Sequence, residues 1–370
     1  MRIVVTGAEG FIAKNLRVRL RELGHADVVG LGRDSDDAAR RAALHSADFV
    51  FHLAGVNRPR SDETFAAGNV DLTRELCETL AASGRAVPVV YASSTQAALD
   101  NDYGRSKRDA EAVLVRHGEN TAAPIFVFRL TNVFGKWCRP DYNSVVATFC
   151  QRMANGLPVT VHDPAAPLRL IHVDDVVAAF TALLGAERPA AGFVAAGPVH
   201  ETTVGALAAT LQRFVESRAS LLMPDVGTGF LRALYATFVS YLPPASFGYS
   251  LRRHEDSRGV FVEMLKTEHC GQFSFFTARP GVTRGGHYHH TKTEKFLVLR
   301  GTARYGFRHI LTGERHERVV AGADTQVVET VPGWTHDITN VGDDELVVML
   351  WANEIFDPAR PDTVAMRVAP

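Results

Sequence analysis

The chain is poor in cysteine: among 370 residues it has only Cys77, Cys138, Cys150 and Cys270, far apart and without a paired motif. That spacing excludes a disulfide framework and suits reduced thiols that fill core positions. Charge of one sign is also missing. Lys and Arg number 40 against 41 Asp and Glu, a formal net charge of -1, and no basic run forms a patch. Nucleic acid is therefore excluded as an expected partner. Long apolar runs are absent too. The most apolar later stretch, from Leu221 to Phe247, is broken by Pro224, Gly227, Gly229, Arg232, Pro243 and Pro244, so it falls short of the ~20 uninterrupted apolar residues that a membrane span needs. Met1-Arg-Ile-Val-Val-Thr6 enters a strand pattern at once. The expectation is a cytoplasmic chain with no signal peptide and no membrane insertion.

What is present is ordinary globular content, 46% hydrophobic and 22% charged. The length exceeds what one core usually sustains, so two domains are expected. Their predicted extents are 1–245 and 246–370, with Leu242-Pro-Pro-Ala245 as a stiff boundary.

In the first half, a β-branched run to Thr6 is followed by Gly7-Ala-Glu-Gly10-Phe11-Ile12-Ala13 and then by helical spacing up to Gly24. This is a strand, a glycine turn and a helix. Gly7 permits the sharp turn, Gly10 lets backbone approach a diphosphate, and Ala13 allows close helix packing. Phe11 and Ile12 open the helix whose amino end faces the phosphates. The next strand, Asp27 to Arg33, ends where a dinucleotide site usually places an acid against the ribose. Arg33 stands there instead, and a guanidinium pairs with a 2′-phosphate, so NADPH is the expected cofactor. Asp48-Phe-Val-Phe-His52-Leu53-Ala54-Gly55 and Val87 to Ser94 read as buried parallel strands with small residues at the cleft.

Tyr103-Gly-Arg-Ser-Lys107 places a phenol and an ammonium one helical turn apart on a shared face. The ammonium is expected to lower the phenol pKa and to hold the nicotinamide ribose. Ser94 is available to the same substrate oxygen, and a phenol so placed delivers a proton to a carbonyl oxygen as hydride reaches carbon. From Met1 to about Leu242 these motifs resemble the extended short-chain dehydrogenase/reductase family. The resemblance implies a catalytic Ser94, Tyr103 and Lys107, with Ser93 as the alternative serine. It also implies that Arg129-Leu-Thr-Asn132 and Arg169-Leu-Ile-His172 line a nucleotide-sugar site, with Arg129 structural and Asn132 and Arg169 facing substrate.

From Phe247 onward helical periodicity vanishes. Runs such as Gln272 to Thr277, Lys295 to Leu299, Thr302 to Arg308 and Leu346 to Trp351 alternate with Gly, Pro and Asp turns, which predicts an all-β module, a small barrel or double sheet. Within it, His287 and His289 are two apart, so on a strand both rings leave one face. Glu294 follows after a polar bend, and His336 offers a fourth nitrogen. Three histidines and one carboxylate suit Zn, Mn, Fe or Ni, with zinc the expected divalent ion. The spacing from Gly281 to Gly301 resembles the first cupin motif, and Pro332-Gly-Trp-Thr-His336 to Asn340 resembles the second. These patterns and the resemblance together imply a Rossmann-type parallel α/β domain followed by an all-β cupin jelly-roll barrel.

The whole chain, including Asp256 to Gly259, His287 to Phe296, Trp351 to Pro358 and Pro361-Asp-Thr363, resembles bifunctional capsular-polysaccharide enzymes in which an extended reductase precedes a cupin. That resemblance implies a role in UDP-N-acetyl-L-fucosamine synthesis. The cupin would epimerise C3 of a UDP-linked 4-keto amino sugar, and the reductase would then reduce C4 with NADPH. For the acid and base at C3, His290, Lys292 and Tyr305 all stand open. A homodimer is expected by analogy. Two other readings use the same residues: a monofunctional reductase with a structural assembly cupin, and a non-enzymatic NADPH-binding redox sensor.

Overall fold

Short apolar runs separated by helical stretches wind the amino-terminal part around a parallel sheet. The computed structural model describes residues 1–58, 64–185 and 189–369. In it, β1 (Ile3–Thr6), β2 (Val28–Leu31), β3 (Phe49–His52), β4 (Val89–Ser94) and β5 (Ile125–Leu130) are all parallel. β6 (Asn132–Phe134), β7 (Pro167–His172) and β9 (His200–Thr203) form a separate three-stranded sheet, while β8 (Gly192–Phe193) completes the main one in the order β2-β1-β3-β4-β5-β8. Ile3 and Val5 point to one face with α1 (Phe11–Glu22) and α6 (Val173–Ala182). Val4 points to the other, with α2 (Asp37–His45), α3 (Leu72–Ala81) and α4 (Asp102–Thr121). Burial on both faces is why these strands read as unbroken apolar runs instead of alternating ones. Strand order reverses between β1 and β3, and the carboxyl ends of strands at such a point open a ligand crevice.

The chain divides into two compact units, Met1–Leu211 with Ala233–Leu242, and Gln212–Arg232 with Pro243–Pro370. α5 (Val145–Ala154) lies within the first unit, and α7 (Val204–Ser220) and α8 (Gly229–Val239) each cross a division. β10 (Leu222–Met223) pairs with β12 (Gly259–Thr267), which ties its segment to the second unit.

That second unit is built on two largely antiparallel sheets. One runs β10-β12-β13-β20-β15-β18, with β11 (Arg253–Asp256) beside β12. Its further strands are β13 (Gly271–Ala278), β15 (Glu294–Arg300), β18 (Val327–Glu329) and β20 (Leu346–Ala352). The other runs β17-β16-β19-β14-β21, from β14 (Thr283–Tyr288), β16 (Thr302–His309), β17 (Arg315–Ala321), β19 (Trp334–Asn340) and β21 (Val364–Ala365). Phe276, Phe296, Val298 and Val348 of the first sheet share one core with Ala303, Tyr305, Phe307 and Ile338 of the second. The two inner faces therefore enclose a single apolar layer.

Cys77 and Cys150 are buried and Cys138 half-buried, but Cys270 is exposed in the turn between β12 and β13. The expectation that all four fill the core fails there, because a hairpin turn leaves its tip residues to solvent. Among the described residues no helix is long and apolar enough to cross a membrane.

Candidate functional site

The carboxyl ends of β1 and β3 meet at the first site. Gly7 adopts φ +66°, and a side-chain carbon there would lie 2.8 Å from the Ala54 backbone, so glycine is needed for both conformation and space. His52 locks the same junction. Its Nδ1 is 2.8 Å from Thr6 Oγ1 and its Nε2 is 3.0 Å from Thr73 Oγ1, while the Ala54 amide donates to Thr6 Oγ1 at 3.1 Å. Burial lowers the His52 pKa to about 3, so the ring is a neutral hydrogen-bonded strut. Gly10 caps α1 without any side-chain hydrogen bond, and Phe11 and Ile12 follow it, half-buried against the core. First-turn amides with no capping side chain suit an anion. Leu53, Ala54 and Gly55 form the facing loop, and Arg33 is exposed in the turn after β2.

Ser94 ends β4, and Tyr103 stands in the first turn of α4. They are brought together by close packing of α4 on the 3-10 turn Thr95–Ala98: a side-chain carbon at Gly104 would lie 2.2 Å from Gln96 O and 2.7 Å from Leu99 O. Asn101 caps the helix by accepting from the Gly104 amide at 2.7 Å. Gly104→Ala is expected to push α4 off this turn and cost about 1–3 kcal/mol or more, read as a lower denaturant midpoint. An unchanged midpoint would show that the contact is soft.

Burial raises the Tyr103 pKa, and a hydrogen bond with Ser94 partly opposes it. The expected lowering by Lys107 is not what the structure gives: burial and Ser94 are the influences on the phenol, and the ammonium has partners of its own. Its Nζ donates to Ala92 O at 2.8 Å and sits 4.2 Å from the centre of the Tyr91 ring. Burial takes Lys107 down to about 7. Between that value and its ordinary 10.5 the unfolded chain holds a proton that the folded chain lacks, so this group makes stability rise with pH across the window, by at most about 1.4 kcal/mol per pH unit. Denaturant midpoints from pH 7 to 10 should rise more steeply in the native protein than in Lys107→Met. Parallel curves would refute it.

Ser93, the alternative serine, is buried and donates to Glu111, which also receives Arg129 Nη2 at 2.6 Å and Nε at 3.0 Å. That bidentate network is structural and leaves Ser94 as the serine beside the phenol. Sequence reasoning missed Glu111, and it also missed Asn69. Asn69 lies in the π-helical turn Ala66–Asp71. Its side chain accepts from Val56 N and donates to Val56 O and Ser106 Oγ, all within 3.0 Å. The only hint was an amide in an otherwise amphipathic stretch. Asn132 and Arg169 are both exposed, on β6 and β7, and Arg169 lies 3.4 Å from Glu201 in a solvated pair.

The second cluster lies between the two β sheets. His287 on β14 and His336 on β19 are register partners, and Glu294 begins β15 of the facing sheet. His289 stands one residue past the end of β14. Its ring is 4.9 Å from that of His287, as residues two apart on extended backbone share a face, and the strand is bulged just before them, between Gly285 and His287. Gly285 and Gly286 adopt φ +92° and +81°, conformations that suit glycine and re-aim the following side chain. One ligand atom from each of His287, His289, Glu294 and His336 falls within 4.8 Å of the others. Glu294 Oε2 is 3.3 Å from His289 Nε2 and 3.4 Å from His336 Nε2. Burial would raise the Glu294 pKa, but the neighbouring His289 and His336 rings and the Lys292 charge outweigh it and hold the carboxyl far below its usual range. Burial, with His336 beside it, lowers His287 to about 4. Among the described residues His336 Nδ1 is buried without a hydrogen-bond partner, and Nε2 has only the 3.4 Å approach of Glu294. Buried imidazoles around an ionised carboxylate, one of them with an unpartnered nitrogen, fit a divalent cation. Lys292 Nζ lies 3.3 Å from Glu294 Oε1, Tyr305 is buried with an unpartnered hydroxyl, and His290 is exposed against Tyr288.

Residues 3–194 match the NAD dependent epimerase/dehydratase family, and residues 254–364 match the polysaccharide biosynthesis C-terminal domain. The chain belongs to the NAD dependent epimerase/dehydratase family, with the polysaccharide biosynthesis domain at its carboxy-terminal end. It is 52% identical over 368 residues to the UDP-2-acetamido-2,6-beta-L-arabino-hexul-4-ose reductase of Pseudomonas aeruginosa, covering 100% of this chain and 99% of that one. Its structure resembles the capsular polysaccharide assembling protein CapF of Staphylococcus aureus at 39% identity and a TM-score of 0.93, covering 100% of both chains. CapF with the inhibitor 3-isopropenyl-tropolone matches at 36% identity and a TM-score of 0.88, again over 100% of both. UDP-glucuronic acid 4-epimerase of Bacillus cereus is 17% identical with a TM-score of 0.54, covering 65% of this chain and 96% of that one, a likeness of fold alone.

Proposed function

We propose that this protein is a bifunctional sugar-nucleotide enzyme. Its cupin-type unit epimerises C3 of a UDP-2-acetamido-2,6-dideoxy-4-hexulose, and its amino-terminal unit reduces C4 with NADPH on the way to UDP-N-acetyl-L-fucosamine. The observation that carries this reading is the pairing, in one chain, of Ser94 at the end of β4 and Tyr103 in the first turn of α4 with the buried cluster of His287, His289, Glu294 and His336. Support for the substrate class comes from the reductase of Pseudomonas aeruginosa, which is similar over the whole chain. The tropolone bound to CapF adds support for a cation, since adjacent keto and hydroxyl oxygens form a chelating pair.

At the first site a bound dihydronicotinamide supplies hydride to the carbonyl carbon. Tyr103 gives its phenolic proton to the C4 oxygen, and its raised pKa keeps it protonated at neutral pH. Ser94 holds that oxygen, and Lys107 and the loop Leu53 to Gly55 border the nicotinamide side. Gly7, Gly10, Phe11 and Ile12 receive the diphosphate, Arg33 pairs with the 2′-phosphate, and Asn132 and Arg169 take the sugar nucleotide.

At the second site His287, His289, Glu294 and His336 would hold a divalent ion, for which we take zinc. When bound, it draws charge from a keto oxygen and makes the adjacent C–H more acidic. The order of reactions follows from this acidity. A C4 ketone activates the C3 proton, so epimerisation precedes reduction, and reduction removes the carbonyl and traps one epimer. We further place the domain boundary near Leu242, a cytoplasmic location and a homodimer within this reading.

The test is proton NMR of the 4-keto sugar in D2O, with and without NADPH. Deuterium should enter C3 without NADPH, and NADPH should be consumed only when the ketosugar is present. Absence of C3 exchange would favour a monofunctional reductase, and absence of NADPH consumption would sink the proposal.

A further inference from the structure

The carboxy-terminal segment touches the surroundings of three of the four candidate ligands. β21 pairs with β14 through Ala365 opposite His287 and Val364 opposite Tyr288, and the Met366 amide donates to Gly286 O at 2.9 Å. Thr335, which precedes His336, donates its hydroxyl to Met366 O. The strongest contacts come from Asp362. Its carboxylate accepts from the His290 amide at 2.9 Å, the Thr291 amide at 2.6 Å, the Thr291 hydroxyl at 2.8 Å and the Lys292 amide at 2.8 Å. Its backbone carbonyl faces His289 Nδ1.

A carbonyl can only accept, so His289 carries a proton on Nδ1, and Nε2 is the ring nitrogen that faces Glu294 and the cluster. The same carboxylate holds the backbone of Lys292, whose ammonium is within 3.3 Å of Glu294 Oε1. That leaves Glu294 Oε2 as the oxygen nearest His289 and His336. Without Asp362 three successive amides lose their shared acceptor, and the turn between His289 and Glu294 loses its geometry.

We infer that Asp362 is the positioning residue of the histidine–glutamate centre, setting the tautomer of His289 and, through Lys292, the oxygen that Glu294 presents. The inference rests on the metal reading above and extends it to residues outside the ligand set. Groups of this kind around metal ligands typically contribute 10–100-fold in affinity.

The test uses the full chain with Zn2+ in competition with a chromophoric chelator, Co2+ absorption as a spectroscopic signature, and unfolding of the metal-free protein. Asp362→Ala should weaken Zn2+ about 10–100-fold and shift the Co2+ bands, and Asp362→Asn, which keeps one acceptor oxygen, should fall between. NADPH consumption with a ketosugar already epimerised at C3 should not change. Equal Zn2+ affinity and identical Co2+ spectra in native protein and Asp362→Ala would overturn the inference. So would an affinity loss wholly matched by lost stability of the metal-free protein with the Co2+ spectrum intact. A native chain that binds neither ion would instead overturn the metal reading itself.

Discussion

Tyr103→Phe is expected to lower the turnover of ketosugar reduction about 10²–10⁴-fold, the usual contribution of a positioned general acid. The substitution removes one oxygen and keeps the ring that packs 5.6 Å from Phe65, so folding should change little. Deuterium entry at C3 without NADPH should continue at the native rate, since that step is proposed for the other cluster. The measurements are NADPH oxidation at saturating ketosugar and NMR exchange on the same sample. Full reductase turnover in the variant would remove Tyr103 from the mechanism and revive the redox-sensor reading.

The second large effect is expected at His336. Among the described residues its Nδ1 is buried without a hydrogen-bond partner and its Nε2 has only Glu294 at 3.4 Å, so metal-free protein bears a poorly satisfied polar group that a bound cation would relieve. His336→Ala should abolish measurable C3 exchange and deprive the protein of one ligand nitrogen. Native protein at Zn2+ 100 times its dissociation constant should gain about 2.7 kcal/mol of unfolding free energy that a chelator removes. The variant should show little of this chelator-sensitive shift. Reduction of a substrate already inverted at C3 should proceed at the native rate. Exchange that survives both the substitution and chelation would refute a metal-dependent epimerisation.

Much of this organisation was legible in the sequence, because its signals are local. Gly7 and Gly10 between a strand and a helix, Tyr103 and Lys107 one turn apart, and the His287, His289 and Glu294 spacing each follow from a short stretch of backbone geometry. The burial of both sheet faces was legible too, in the unbroken apolar runs of β1, β3 and β4. Where reasoning from spacing erred, a distant group intervened. Lys107 was expected to act on the Tyr103 phenol because helical spacing put them on one face. Its ammonium instead found the Ala92 carbonyl and the Tyr91 ring across the strand–helix interface. The distinction between Ser93 and Ser94 was equally hidden, since it depends on Glu111 and Arg129 lying beneath one of them.

The second cluster shows the same division. That His287, His289, Glu294 and His336 belong together could be read from two short motifs, but the strand register that sets His287 opposite His336 could not. Neither could the approach of Glu294 from the opposite sheet, nor the capping of residues 290–292 by Asp362. Periodicity and turn chemistry are properties of neighbouring residues, so the sequence alone determined the two fold types, the phosphate turn and the inventory of reactive side chains. Only the tertiary structure decided which of those side chains touch, which nitrogen or oxygen each presents and which are buried without a partner. These depend on register and desolvation across separations that no local pattern encodes.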